Sequence, residues 1–316
     1  MAKKHKRFHL IPSLSGITGL ILACLLFGAQ YLADSEATSQ RTAATIAEEG
    51  TEDSSPAGEL KVHFIDVGQG DATLITCDGQ SMLIDAGNNS KGTQVQNYLQ
   101  SQGIDTLHYV VGTHPDADHI GGLDVILYKF DCGTVILPPV ANDTKTYDDV
   151  VATMKNKSYS ATAPTVGDTY TLGSATFTIV APVGSYGSNL NDWSVAILLQ
   201  NGSNRFLFTG DAGEASEADM LASGVDLSAD VYKVAHHGSN TATTDAFLAS
   251  VNPSYGVISV GEGNSYGHPN AAVLNKLRAA GVSVFRTDEQ GTIVATSDGT
   301  HITWNCTPSE TWKAGE

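Results

Sequence analysis

The chain has 316 residues, 34 acidic against 17 basic side chains, and a net charge of −17 with histidine neutral. Its length admits one large domain or two smaller ones, and a hydrophobic content of 41% excludes a solvated polyelectrolyte. Its acidity excludes a protein that grips nucleic acid through a basic surface, because counterion release needs lysines and arginines set against phosphates.

Residues 1–33 carry Lys3, Lys4, Lys6 and Arg7 and no acid, so the remainder is more acidic than the whole. A mostly apolar run, Leu10–Leu32, follows this basic start. Its 23 residues are enough to span a bilayer, although Pro12, Ser13 and Ser15 weaken the first turns. Basic residues ahead of such a run keep the N-terminus cytoplasmic and place the rest outside. Three fates fit the segment: a signal anchor, which is preferred, a cleaved signal peptide, or a lipoprotein. The last rests on Ile21-Leu22-Ala23-Cys24, which resembles a lipobox, but apolar Leu25, Leu26 and Phe27 follow where polar residues are usual. Residues 34–59 are polar, lack an apolar period and read as a disordered tether.

A folded domain is expected over 60–306, with a short tail over 307–316. Lys61–Val67, Ala72–Cys77 and Ser81–Asp85 have strand character, with a turn at Gly79. Thr93–Gln102 reads as a helix stopped by Gly103, and Leu107–Val111 as the next strand. Leu123–Phe130 and Tyr147–Asn156 read as helices around a strand at Thr134–Leu137. Short β segments follow at Thr169–Leu172, Ala175–Val180, Val195–Gln200 and Arg205–Thr209. Helices at Glu214–Leu221, Thr244–Val251 and Ala271–Ala280 then alternate with strands at Val231–Ala235 and Tyr255–Val260, and three last strands run from Val282 to Trp304. Strands in runs with helices between them predict an α/β domain of sheets packed face to face with helices outside. Cys77, Cys132 and Cys306 lack metal-ligand spacing and read as buried thiols, without excluding a disulfide between two of them.

The chemistry concentrates in Thr113–Gly122, THPDADHIGG. His114, Asp116, Asp118 and His119 bunch at the end of a predicted strand, where nitrogen and carboxylate donors suit Zn²⁺ or Mn²⁺. A helix cap would need one such residue, not four. Further donors also stand at strand ends: Asp85 in LIDAG, Asp211 in FLFTGD, His236 and His237 in VYKVAHHG, and His268 in YGHP. In a layered α/β fold, strand ends along one edge line a common cleft. His268 is a candidate proton donor to a leaving group, as imidazole titrates near neutral pH. Gln69 and Asp71 in VGQGD are expected to shape the cleft floor or to form a turn. Lys233 either meets an anionic substrate or sits at a strand edge.

The motifs IDVGQGDA, LIDAG, THPDADHIGG, FLFTGD, VAHHGS, SYGHP and RTDEQGTI together resemble the metallo-β-lactamase superfamily. Within it they are most similar to the extracytoplasmic hydrolase domain of the ComEC competence family, over about residues 60–304. The resemblance implies a four-layered αβ/βα metallo-β-lactamase sandwich. It also implies a site for two divalent metal ions, Zn²⁺ ahead of Mn²⁺. One ion would take His114 and Asp116. The other would take Asp118, His119 and one histidine of the His236–His237 pair, with His237 preferred and Asp211 bridging both. Asp85 would orient a ligand histidine from behind.

Two departures from the family pattern stand out. Asp116 replaces the usual second histidine, which hardens the site. The later histidine, expected some 20 residues before Asp211, is replaced by NDWS, where Asn191 or Asp192 could serve as a weak ligand or water could fill the gap. The expected function is an exported or membrane-anchored hydrolase, most simply a phosphodiesterase or nuclease, using a hydroxide shared by cations about 3.5–4 Å apart. Asp118, Asp211 and His268 are its expected catalytic residues. The alternatives are an esterase on cell-wall phosphodiesters, an amide- or lactone-cleaving enzyme, or a binding module without turnover. A phosphodiester substrate, with DNA a candidate, and the membrane at the N-terminal segment are the expected partners; no protein partner is inferable. The ComEC channel segments have no counterpart here, so a free-standing module is expected.

Overall fold

The computed structural model describes residues 57–315. The predicted targeting segment and all but the end of the predicted tether lie outside these residues. Among the described residues, no helix is long and apolar enough to cross a membrane.

Strands β1 (Leu60–Phe64), β2 (Thr73–Cys77) and β3 (Gln80–Ile84) form an antiparallel meander. Asp78 and Gly79 close the second hairpin with φ values of 47° and 77°, the doubly left-handed turn for which Asp-Gly is well suited. Helix α1 (Gly92–Ser101) then crosses to β4 (Thr106–Val111), which pairs parallel with β3. Two short helices, α2 (Ala117–Ile120) and α3 (Leu123–Lys129), lead to β5 (Asp131–Ile136). Helix α4 (Lys145–Lys157), capped by Thr144, then leads to the two-residue β6 (Ala161–Thr162).

The second half begins with β7 (Thr169–Leu172), β8 (Ala175–Ala181), β9 (Ala196–Asn201) and β10 (Asn204–Phe208), joined by antiparallel pairings. Helix α5 (Glu214–Ala222), β11 (Val231–Lys233), α6 (Asp245–Val251), β12 (Tyr255–Ile258), α7 (Ala271–Ala279) and β13 (Ser283–Arg286) then alternate, with β10 through β13 pairing in parallel. A one-turn helix, α8 (Thr287–Gln290), carries the chain back to β14 (Ile293–Ser297) and β15 (Ile302–Trp304) in the first sheet. The sequence reading treats Val282–Trp304 as strands only; α8 interrupts it because the chain changes sheets there.

The strand orders are β15-β14-β1-β2-β3-β4-β5-β6 and β13-β12-β11-β10-β9-β8-β7. A central apolar layer fills the space between the sheets, with Phe64, Phe177, Phe206, Phe208 and Phe285 all buried. A second layer lies where the helical segments of the C-terminal half cover the second sheet, through Met220, Phe247 and Leu277. A third lies under α1, α3 and α4, through Leu99, Leu127 and Met154. The result is the αβ/βα sandwich that the sequence predicts.

Parallel pairing explains the placement of the chemistry. It sets the carboxyl ends of β3 and β4 side by side in one sheet, and those of β10, β11 and β12 in the other. The loops after these strands carry Asp85, His114–His119, Asp211, His236–His237 and His268. Such strand ends are where open α/β sheets place their ligands.

The segment after Cys306 lies along the domain. Ser309 N donates to Val284 O at 2.7 Å, Arg278 stacks 5.2 Å over the Trp312 ring, and Gly315 N donates to Pro269 O at 3.0 Å. Cys77 is buried, Cys132 and Cys306 are partly so, and none forms a disulfide among the described residues.

Phe177 sits at the middle of the central layer, stacked on Tyr170 at 5.0 Å and edge-on to Tyr109 at 4.9 Å. Phe177→Ala removes both contacts and leaves a cavity between the sheets. It should lower unfolding free energy by about 3–5 kcal/mol, read as a lower denaturant midpoint with the slope unchanged.

Candidate metal centre

The first donors follow β4. Thr113 and His114 occupy the strand's end, and the short helix α2 turns Asp118 and His119 back toward them. Asp85, just past β3 with φ 57°, reaches across underneath. Its Oδ1 accepts from Thr113 N at 2.8 Å. Its Oδ2 accepts from Thr113 Oγ1 at 2.7 Å and from His119 Nδ1 at 2.8 Å. With Nδ1 committed, His119 must present Nε2 to the centre. Gly70 brings the preceding loop against this turn: a Cβ there would lie 2.3 Å from Asp118 O, and Asp71 N donates to that same carbonyl at 3.1 Å.

The second sheet supplies the other half. Asp211 follows β10 and is almost fully buried. Ser194 Oγ accepts from Asp211 N at 3.0 Å and lies 3.4 Å from His114 Nδ1, so one hydroxyl holds both residues. After β11 the chain makes a tight left-handed turn, with φ 50° at His236, 55° at His237 and 81° at Gly238. Consecutive non-glycine residues in that region cost about 1–3 kcal/mol each and persist only where the surroundings enforce them. Here His236 N donates to Gly210 O at 3.1 Å, Asn270 N to Gly238 O at 2.8 Å, and His237 Nδ1 to Ser259 O at 2.9 Å. That last bond leaves Nε2 of the buried His237 facing the centre.

These halves meet around Asp211. Its Oδ1 is 3.2 Å from His119 Nε2; its Oδ2 is 3.6 Å from Nε2 of both His236 and His237, and 4.0 Å from His114 Nε2. His237 Nε2 is 3.3 Å from Asp118 Oδ2, and His114 Nε2 is 3.6 Å from the partly exposed Asp116 Oδ2. His114 with His119 and Asp211, and Asp118 with His119 and His237, each bring three ligand atoms within 4.8 Å of one another.

Whether cations fit is decided by the leftover atoms. His114 Nε2, His119 Nε2, His237 Nε2 and Asp211 Oδ1 are all buried without a hydrogen-bond partner. Buried polar atoms are ordinarily satisfied, and four orphans aimed at one another are a ligand set for cations.

The electrostatics agree. Burial works against a charged His119, yet Asp211 and Asp85 hold its pKa well above the ordinary imidazole value. His237 is likewise pushed up to about 10 against burial, by Asp211, Asp118 and Asp71. Asp118 is drawn down to about 2, where the nearby imidazoles of His237 and His119 overcome burial. The pocket thus holds more negative than positive charge and retains protons to balance it. Metal cations would take the place of those protons.

The remaining predicted residues divide. Lys233 does not meet substrate: it is buried at 3% exposure, and its Nζ donates to Asp71 Oδ2 at 2.8 Å. Burying an ammonium requires such a partner, and Asp71 in turn stands 3.4 Å from His237 Nδ1. Asp192 is not a ligand either. Its carboxylate accepts from Gly213 N at 2.8 Å and Ser216 N at 3.3 Å and from the Asn189 amide, so it anchors the start of α5. Asn191 lines a cavity of about 580 Å³ that also touches Asp211 and His236. Gln69 Oε1 accepts from Gly261 N at 3.3 Å, which ties the VGQGD loop to the loop that carries His268.

His268 stands with its ring 5.6 Å from His236 and 6.3 Å from His237. Burial and the charge of those two histidines push it down to about 4, so it is an uncharged imidazole at neutral pH. The sequence expectation is of a proton donor to a leaving group, and these neighbours favour its neutral form. Thr113 and Ser194, which hold the ligand histidines, were not singled out from sequence. The "Ser" of NDWS, standing where a family histidine is missing, was the available signal.

The chain matches the metallo-β-lactamase superfamily over residues 65–262. It belongs to that superfamily. Among its curated relatives, it is 28% identical over 255 residues to ComE operon protein 3 of Bacillus subtilis, an alignment covering 75% of this chain and 33% of the relative. It is 32% identical over 238 residues to Recombination protein 2 of Haemophilus influenzae, covering 74% and 28%, and 28% identical over 240 residues to Competence protein ComA of Neisseria gonorrhoeae, covering 75% and 32%. The chain therefore spans about a third of the length of these relatives. The metallo-β-lactamase fold protein YhfI of Bacillus subtilis superposes with a TM-score of 0.51 at 11% identity, over 76% of this chain and all of that one, a likeness of fold. The superfamily fold is one that binds dinuclear metal, and the His/Asp clusters here are its candidate ligands.

Asp85 is the residue on which the orientation of His119 depends. Asp85→Asn keeps the shape but offers an amide where a carboxylate accepted three bonds. Metal affinity should fall about 10- to 100-fold, the usual loss when a ligand histidine's outer partner is changed, measured by competition with a chromogenic chelator.

Proposed function

We propose that this metallo-β-lactamase-superfamily chain is a metal-dependent phosphodiesterase acting outside the cytoplasm, with nucleic acid as its substrate. The single observation that carries the reading is the set of partnerless buried atoms: His114 Nε2, His119 Nε2, His237 Nε2 and Asp211 Oδ1. His114, Asp116 and Asp211 would hold one cation, with His236 close enough to Asp211 to complete the set. Asp118, His119 and His237 would hold the other, with Asp211 shared. When bound, two divalent cations supply an acidified water and offset negative charge on a phosphoryl oxygen. Zn²⁺ fits the imidazoles, and Mn²⁺ is favoured by the harder carboxylates, Asp116 above all.

The chain's own groups do the rest. Asp85, Ser259 and Ser194 fix which ring nitrogen each histidine presents or where its neighbours stand, so little ordering is left for the moment of binding. His268, uncharged beside His236 and His237, offers a ring N–H to a substrate oxygen as charge builds on it. The partly exposed ring of His236 lines the cavity shared with Asn191, where the rest of the substrate would enter. The phosphodiester reading is supported by charge, since an anionic ester gains most from clustered cations. The nucleic-acid reading draws on the names of the relatives, which refer to competence and recombination. The placement outside the cytoplasm draws on the basic start and the apolar run at Leu10–Leu32.

The test offers the full chain, supplied with Zn²⁺ or Mn²⁺, single-stranded DNA, bis-p-nitrophenyl phosphate and nitrocefin. Hydrolysis of the two phosphodiesters is expected; hydrolysis of nitrocefin alone would overturn the reading. Asp211→Ala should abolish turnover and reduce bound metal, since it removes the shared ligand. His268→Ala should lower kcat by roughly 10²-fold with metal content retained, the size expected for one lost hydrogen-bond donor. Loss of metal from the His268 variant would instead make that residue a ligand.

A further inference from the structure

Beside the metal centre, one surface feature is not used by the reaction just described. Tyr266 is 68% exposed, the most open of the large hydrophobic residues described. One face of its ring is stacked on His268, at 5.8 Å between centroids and 22° between planes. His268 continues the stack to His237, at 6.3 Å and 29°. A short column of flat rings thus runs from solvent to a candidate ligand.

The loop that carries this column is held firmly. Asn264 Oδ1 accepts from Tyr266 N and His268 N, each at 3.1 Å, while its Nδ2 donates to His268 O at 2.6 Å and Gly261 O at 2.9 Å. Gly315 N bonds Pro269 O from the other side. A tyrosine on so well-tied a loop loses little freedom when something flat settles on it.

The cavity beside His236, whose ring stands 5.6 Å from that of His268, narrows the choice of occupant. It is lined by Asn189, Asn191, Asn240 and Thr241, with Asp192 and Glu214, and by no lysine or arginine. Amides and hydroxyls recognise sugar and base edges; they do not gather a run of phosphates.

We propose that Tyr266, backed by His268, forms a stacking platform for a nucleobase, so that the substrate is a short or single-stranded nucleic acid held by a base and one phosphodiester. This rests on the phosphodiesterase reading above and names its substrate class. Stacking is tolerant of sequence, because every base has a π-face. A paired duplex keeps its bases inside and gains nothing from the platform. Binding should depend weakly on salt, because few counterions are displaced from the nucleic acid.

Two measurements on the full chain with Mn²⁺ decide the matter. The first is the fluorescence anisotropy of a labelled, cleavage-resistant phosphorothioate tetrathymidylate. Tyr266→Ala should weaken binding roughly 5- to 100-fold, the range for loss of one base–aromatic stack, and Tyr266→Trp should restore it. Equal binding by Tyr266→Ala and the wild-type chain overturns the platform. The second compares kcat/KM for thymidine 5′-(p-nitrophenyl phosphate) and methyl p-nitrophenyl phosphate, which share a leaving group and differ in the base. The wild-type chain should favour the nucleotide, and Tyr266→Ala should shrink that ratio about tenfold or more. Hydrolysis of both with no preference for the nucleotide overturns the platform and leaves the phosphodiesterase standing. Hydrolysis of neither overturns the phosphodiesterase, and the anisotropy then decides the platform by itself.

Discussion

A buried carboxylate ringed by imidazoles is the constraint on which the rest of this structure turns. Asp211 has Nε2 atoms of His119, His236, His237 and His114 between 3.2 and 4.0 Å away. Asp71, Asp85 and Asp118 crowd the same space, and Lys233 is the cation buried among them. Charges taken out of water must be paired or neutralised. The fold meets this in layers. Lys233 is assigned to Asp71, Asp85 is spent on Thr113 and His119, and what remains faces the centre, where protons or metal ions complete the balance.

That arrangement needs two sheets that end at the same place. Parallel pairing of β3 with β4, and of β10 with β11 and β12, brings loops distant in sequence to one edge. The apolar layers between and outside the sheets hold the edge rigid, which is what lets the backbone sustain φ values of 50° and 55° at His236 and His237. The strain has a use: side chains of adjacent residues in a regular strand point to opposite faces, whereas the left-handed turn lets both rings approach Asp211.

This also explains what was legible in the sequence. Alternating apolar strands and the donors at their ends are local patterns, so the sandwich and the motif at His114–His119 could be read directly. The role of Asp85 was legible because a metal-facing imidazole needs an acceptor behind it. What escaped were matters of partnership across the fold. Lys233 sits at a strand end in the sequence and resembles a substrate group, but only the packed structure shows Asp71 against it. Asp192 stands where the family resemblance leads one to expect a ligand, yet the start of α5 claims one of its oxygens and the Asn189 amide the other. Ser194 is an ordinary residue until the fold sets it between Asp211 and His114. The short helix α8 carries no apolar period of its own and follows from the change of sheet.

The overall charge and the local charge of the molecule point in opposite directions, and their difference bears on selectivity. A net charge of −17 repels a polyanion at long range, an effect screened within about 8–10 Å at physiological salt. On the proposed reading, cations held at Asp211 would attract a single phosphodiester only once it is close. A long duplex presents many phosphates to the repulsive surface for each one it can bring to the centre, whereas a strand end or a short oligonucleotide presents few. On the same reading, contacts that carry no charge complete the attraction: amides lining the cavity beside His236 and the exposed ring of Tyr266. On that reading, an acidic hydrolase of this kind would discriminate by how little of its substrate's charge must approach it.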